Sequence, residues 1–407
     1  MRKIIILFFS LFFVNSAFAS GKYISPLPLP SAEVLNIEIE SCGTRCLQRF
    51  LKDGQIFSFI ANFNKNNQTK ELEEELNAIM NGLEITSIPY FLDVKKPFFT
   101  IALMFPRKAI GRYSTSTTNT ILSYLLYQNA RFNFEIFDCR GESAEELQST
   151  LQNIYAKGYR QAIAVVTQQG AKELNKMDLN MQIYIPSVHK SQILAQNEVL
   201  SKNLIFGAIS YEEQINFLSS RVESNAVTSF YDTGAVGQQI QKYTQNANNL
   251  TFSKTFSAKD GSNLQKEMKG LRGALSNSSV FLNTPVTNSS MILSQITYND
   301  IRVKGVYSTQ INYNPMLLSI TQPNDRKNMY IANSIMPLDV LFIENAELLG
   351  VDLKYDWINY ATAFGVEHFY IKSVKGVKKI FKENIKDQQV QYNIEILTPK
   401  NNRFMPL

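Results

Sequence analysis

From Phe98 to about Val306 the chain repeats one pattern: a short apolar run, then a segment whose apolar residues recur every three or four positions. Phe98–Phe105 is long enough for one buried strand, and Ile121, Leu122, Leu125 and Leu126 give the helix face after it. Phe132–Phe137 alternates as a strand. Ser143-x-x-Glu146 then forms a capping box ahead of Leu147, Leu151 and Ile154, with a stop at Gly158. Ala162–Val166, Gln182–Ile185 and Leu204–Phe206 complete a first block. After a break at Gly207 the strands Ala226–Tyr231, Leu250–Phe256, Val280–Leu282 and Ile301–Val306 alternate with helices, one capped by Ser262-x-x-Gln265. Strands separated by amphipathic helices imply parallel βαβ units, and two such blocks imply two three-layer αβα lobes.

Outside those blocks the pattern changes. Val34–Ile39 and Ile56–Phe63 read as strands, and Cys46–Leu51 and Thr69–Met80 as helices, giving a small α+β (βαβα) module over 33–89. Beyond Val306 the pattern predicts a strand at Tyr330–Ala332, helices at Val340–Leu349 and Asp356–Phe369, and an antiparallel pair made by Ile371–Val374 and Val390–Ile396. The expected lobes are 98–207 with about 307–370, and 208–306, followed by a β extension over 371–407.

Residues 1–19 have the three parts of an export signal: Arg2 and Lys3, the apolar Ile4–Val14, and Ala17-Phe18-Ala19 at the cleavage positions. The apolar stretch is shorter than the roughly 20 residues that span a bilayer, so cleavage is preferred over an anchor. Ser20 stands where a lipoprotein would carry cysteine. Pro26, Pro28 and Pro30 make 20–32 an extended arm. The expected location is periplasmic. The formal charge of +6, reduced to +4 without Arg2 and Lys3, is too small and dispersed for nucleic acid.

Candidate chemistry is sparse. Cys42 and Cys46 bracket three residues, which fits a structural disulfide or a reduced pair better than a redox dithiol. Cys139 ends an apolar strand and reads as a buried thiol. With His189 and His368 the only histidines, no metal cluster and no cofactor are expected. His189 lies among serines, but no Gly-x-Ser-x-Gly turn occurs, so a surface histidine is preferred over a hydrolase base. Gly234-Ala235-Val236-Gly237 lacks the spacing of a phosphate cradle and reads as a tight strand–helix junction. Asp138 and Asp232 at strand ends could clamp a ligand amine, although capping the next helix is the commoner role. Lys372, Lys375, Lys378, Lys379, Lys382 and Lys386 read as a solvated face, with anionic lipid, envelope polymer or a partner as alternatives.

The run Phe99–Pro106, then Gly111-Arg112-Tyr113, Phe134–Asp138 and the block Tyr159–Val166 together resemble the type I periplasmic binding-protein fold over roughly Phe98–Phe369. Within that fold the chain resembles the carboxy-terminal domain of penicillin-binding-protein activators. A general likeness to flagellar accessory proteins of the motor's disk is carried by no diagnostic motif. The resemblance implies an interlobe cleft lined at strand carboxyl ends, with Arg112, Tyr113, Asp138, Thr167, Gln168, Tyr231, Asp232 and Thr284 as candidate cleft residues. One departure matters: solute receptors of this fold usually carry Gly-Pro-x-x-Ser after the third strand, whereas this chain has Thr167-Gln168-Gln169-Gly170. The expectation is therefore a non-enzymatic envelope interaction or scaffold protein whose partners are other envelope proteins, with peripheral membrane or peptidoglycan contact. The alternative is a receptor delivering an amino acid-like small molecule to a transporter.

Overall fold

The computed structural model describes residues 42–64, 66–82, 98–194, 199–256 and 264–407. The export signal, the arm, the strand expected at Val34–Ile39, the linker before Phe98 and the cap at Ser262 lie outside them. The chain divides into two compact units, Met1–Lys95 and Lys96–Leu407.

In the first unit the described residues form three helices: α1 (Thr44–Lys52), α2 (Ile56–Asn62) and α3 (Lys70–Gly82). The strand expected at Ile56–Phe63 is instead α2. Its apolar residues bury at Phe59, Ile60 and Phe63 while Phe57 stays 64% exposed, which is the spacing of a helix face and not of alternation. Leu47, Phe50, Leu72 and Leu76 close the same core. Cys42 and Cys46 are disulfide-bonded, with Cα atoms 5.4 Å apart, and Asn67 donates to the Cys42 carbonyl at 2.7 Å.

The second unit has two lobes, each built on a seven-stranded sheet. The first sheet contains β1 (Phe98–Phe105), β2 (Arg131–Asp138), β3 (Gln161–Ala164), β4 (Gln182–Ile185) and β5 (Leu204–Phe206). The second contains β6 (Val227–Tyr231), β7 (Leu250–Thr255), β8 (Ser279–Asn283), β9 (Gly305–Ser308) and β10 (Met329–Asn333). Late strands extend one edge of each sheet: β11 (Asn384–Lys386) and β12 (Gln389–Gln391) the first, and β13 (Glu395–Lys400) and β14 (Arg403–Pro406) the second. The orders are β11-β12-β5-β4-β3-β1-β2 and β14-β13-β10-β9-β8-β6-β7. β1 pairs in parallel with both β2 and β3, as a strand buried under helices on both faces must. Phe99, Ile101, Leu103 and Phe105 point to one layer, Ala102 and Met104 to the other.

Helices cover both faces. In the first lobe α4 (Arg107–Ile110) leads into α5 (Tyr113–Tyr127), and α6 (Ala144–Ala156) and α7 (Gln168–Lys176) follow β2 and β3. In the second, α8 (Tyr211–Ser219), α9 (Ala235–Ala247), α10 (Leu264–Gly270), α11 (Arg272–Leu275), α12 (Val286–Tyr298) and α13 (Pro315–Ile320) play the same part. The capping box at Ser143 and Glu146 is present. α14 (Val340–Leu348) and α15 (Trp357–Ser373) return to the first lobe and pack on α5, where Phe342 and Tyr370 ring edges meet Tyr124.

The lobe boundaries therefore differ from those read along the sequence. The strand expected near Val306 does fall in the second sheet, but Met329–Asn333, expected with the first lobe, belongs to the second sheet as well, and the tail is shared between both. Ile371–Val374 is the end of α15, continuing its buried apolar face, and the expected strand Val390–Ile396 is cut in two. Strand alternation cannot report that cut, because Tyr392–Ile394 is where the chain passes from one lobe to the other. Two further passages, after β5 and after β10, complete the hinge.

The hinge is bonded across its strands. Tyr392 donates its hydroxyl to the Gly207 carbonyl at 2.5 Å, and the buried Gln389 amide donates to Ala208 O at 3.0 Å. At the middle passage Gln214 bonds Ser334 at 2.7 Å and accepts from Gln310 N at 2.8 Å, while Gln310 donates to Asn333 at 3.0 Å. Burial makes these bonds costly to break without replacement.

Candidate functional site

The strand-end loops, where open α/β sheets usually take ligands, are largely occupied by the chain's own side chains. Thr167 is the N-cap of α7, its hydroxyl accepting from Gln169 N at 3.2 Å. Glu142 holds the other groups there: one carboxylate oxygen accepts from Thr167 N at 2.7 Å, and the second accepts the Thr167 hydroxyl. Gln168 turns away and donates to the Gln192 carbonyl. Asp138 accepts from Arg107 N at 3.2 Å and Arg140 N at 2.9 Å, so it braces two backbone turns.

In the second lobe the strand-end loops are close-packed, although one Asp232 carboxylate oxygen is buried without a hydrogen-bond partner. Asp232 lies against the start of α9, where a Cβ on Gly237 would fall inside 3.0 Å of its carboxylate. That packing explains the glycines of Gly234–Gly237 without a phosphate. Burial raises the Asp232 pKa, opposed by backbone donors at Gly234 and at Asp232 itself. Thr284 is fully buried and shares a 2.7 Å hydrogen bond with Ser289. Tyr231 ends β6, half-buried and paired with Asn283 and Thr255.

Arg112 and Tyr113 line a cavity. The cleft they help form has a volume of about 480 Å³ and lies between the lobes. Its first-lobe wall is the start of α5 and the segment Gly350–Asn359; its second-lobe wall is Tyr211 and Gln310–Asn314. Arg112 stacks on the Tyr113 ring at 5.1 Å and donates to its hydroxyl at 3.3 Å. That hydroxyl and, more weakly, Asp356 raise the guanidinium pKa. Asp352 and Asp356 each spend an oxygen on the backbone: Asp352 accepts from Lys354 and Tyr355, and Asp356 caps α15 through Ile358 and Asn359. Burial raises the Asp356 pKa against those amides. Tyr313 and Tyr355 meet across the cleft with ring centroids 5.0 Å apart. Ser116, Tyr211, Tyr313, Trp357 and Asn359 carried no sequence signal as cleft residues; a capping aspartate directly before the chain's single tryptophan was the one available clue.

The remaining chemistry is structural. His189 caps the turn Lys190–Gln192, and burial, then Lys190, lowers its pKa to about 4. Cys139 is buried, which pushes its thiol up to about 12. Among the described residues no group of His, Cys, Asp and Glu is arranged to hold a metal ion, and no helix is long and apolar enough to cross a membrane.

The chain matches no protein-family model, and no curated protein matches its sequence. Its fold does have solved counterparts. A putative branched-chain amino acid ABC transporter protein from Rhodospirillum rubrum superposes with TM-score 0.57 at 10% identity, covering 77% of this chain and 100% of that one. A solute-binding protein of an ABC transporter from R. palustris, in complex with 4-hydroxybenzoate, gives 0.53 at 10% identity, covering 76% and 95%. The C-domain of LpoA from Haemophilus influenzae, a regulator of PBP1A, gives 0.50 at 11%, covering 76% and 99%. The second unit has the bilobed type I periplasmic binding-protein-like fold. The solved counterparts are binding proteins and a regulator.

Proposed function

We propose that this chain is a non-enzymatic interaction or scaffold protein of the cell envelope, in which a binding-protein-like unit supports a larger assembly. The observation that carries the reading is Glu142 on Thr167: the amide and hydroxyl that would greet a ligand carboxylate already hold one. A bonded hinge fits the same role, since a receptor that closes on its cargo needs its connections free to rotate. Export to the periplasm belongs to this proposal. So does the choice between two settings, regulation of cell-wall synthases or service to the flagellar motor.

A solute receptor is the second reading, favoured by the open cleft beside Arg112. Thermal melting against a panel of amino acids and small carboxylates separates the two, because a ligand specific to the folded state raises the transition temperature. No shift is expected, and a saturable shift with any panel member refutes the scaffold reading. Affinity capture from the native envelope then assigns the setting. Wall synthases or motor components support the proposal; a permease overturns it.

A further inference from the structure

The first sheet ends on β2, whose outer edge pairs with no other strand among the described residues. Edge strands invite pairing with other chains, and proteins blunt them by shortness, bulges, proline or charge. The other three sheet edges are blunted in this way. β11 has three residues, β14 has four that include Arg403 and Pro406, and β7 breaks register against β6 at Val227/Thr228. β2 carries neither a bulge nor a proline. It holds continuous register with β1 over eight residues, from Phe98↔Arg131 to Phe105↔Asp138. Arg131 and Asp138 stand at its ends, and the one central charge, Glu135, is already engaged by Lys157 and Tyr159.

The groups free on that edge follow from the ladder. Cys139 N donates to Phe105 O at 2.9 Å, so the odd-numbered residues of β2 turn their amides and carbonyls to β1. Phe132, Phe134 and Ile136 turn theirs outward. Their side chains share one face of the sheet, where Phe132 and Phe134 lie half-buried against the core and Ile136 is 45% exposed. Two antiparallel copies of β2 that meet about Phe134 set Phe134 opposite Phe134 and Phe132 opposite Ile136, each pair exchanging both backbone bonds. Aromatic–aromatic and aromatic–β-branched pairs are favourable cross-strand contacts. On the other face Asn133 falls opposite Glu135, whereas centring the pair on Glu135 would set two carboxylates against each other. A foreign strand would find the same free amides, but the residue order of β2 matches its own reverse, which selects a second copy of this chain. We infer that the protein forms a two-fold dimer by antiparallel pairing of β2, joining two first-lobe sheets into one. Such pairing consumes the edge, so assembly stops at two copies. The surface lies on the flank of the first sheet, and the inference holds under either functional reading.

Sedimentation velocity and light scattering of the whole protein, from about 1 to about 200 μM, read its assembly state. A concentration-dependent dimer is expected, with amide exchange over residues 131–138 slowing as the dimer fills. Ile136→Lys places a charge in the seam opposite Phe132 and should raise the dissociation constant about tenfold or more. Ile136→Pro should do the same by deleting an outward donor while costing no bond to β1. The exposure of Ile136 keeps both variants folded, which circular dichroism checks. Tyr298→Lys, at a 69% exposed position of the second lobe, should leave the dimer unchanged. A protein that stays monomeric across the range overturns the inference, as does association beyond two copies. A dimer that both Ile136 variants retain overturns it too, and so does one that forms without slower exchange over 131–138 or is lost equally in Tyr298→Lys.

Discussion

Tyr184 is fully buried, and its ring is held between two glycines: Gly207 just after β5 and Gly365 in the middle of α15. A Cβ on Gly365 would fall inside 3.0 Å of three Tyr184 ring atoms. By helix propensity alone, Gly365→Ala should stabilise α15 by about 1 kcal/mol. Overpacking opposes that gain. A flat ring confined on both sides cannot slide away, which places the cost at or above about 3 kcal/mol. The net expectation is a loss of about 2 kcal/mol, read as a melting temperature lower by roughly 3–5 °C. The control is the same change in a Tyr184→Leu background, where the obstacle is gone and alanine should stabilise by up to about 1 kcal/mol. Denaturant unfolding of the four proteins gives the coupling directly, at about 3 kcal/mol. If Gly365→Ala is neutral or stabilising in the natural background, the close approach of α15 to β4 is not as described.

Further expectations concern charge, capping and the disulfide. His189 and His368 are both held near pKa 4, mainly by burial, with Lys190 beside the first and Lys372 and Lys379 beside the second. The unfolded chain therefore binds more protons between pH 6.5 and 4, and stability falls as pH drops through that window. Replacing both with asparagine should reduce the acid loss by about 2 kcal/mol per histidine, and identical pH profiles for variant and natural protein would contradict this. Glu142→Ala should lower stability by about 1–2 kcal/mol and leave Thr167 N without its acceptor, which amide hydrogen exchange at residues 167–169 would register as faster exchange. Reducing Cys42–Cys46 removes a small loop constraint, about 2 kcal/mol, from the first unit alone. Limited proteolysis should speed up within 42–82 and stay unchanged beyond residue 98.

The sheet strands were legible because buried parallel strands are apolar on both faces. β1, β4 and β5 fall on the runs Phe98–Phe105, Gln182–Ile185 and Leu204–Phe206. The failures share a cause. Ile56–Phe63 is apolar enough to read either way, and its burial is settled by partners on α1 and α3 that no local window contains. Val390–Ile396 alternates correctly in both halves, yet its halves serve different sheets. The cleft was legible only where it borders a strand-to-helix turn, at Arg112 and Tyr113. Its other walls come from Gln310–Asn314 and Gly350–Asn359, segments without periodicity, brought opposite each other by chain passages invisible in local pattern.

The hydrogen bonds from Tyr392 to Gly207 and from Gln389 to Ala208 also bear on the rate law of binding. Where connections swivel, association passes through a closure step, and the observed rate levels off as ligand concentration rises. Under the receptor reading, connections held by these bonds would make capture a single bimolecular event with an observed rate linear in ligand. Tyr392→Phe would loosen one of the three passages and introduce curvature into that line. Stopped-flow emission of Trp357 would then measure the stiffness of a hinge some distance from the tryptophan's own wall.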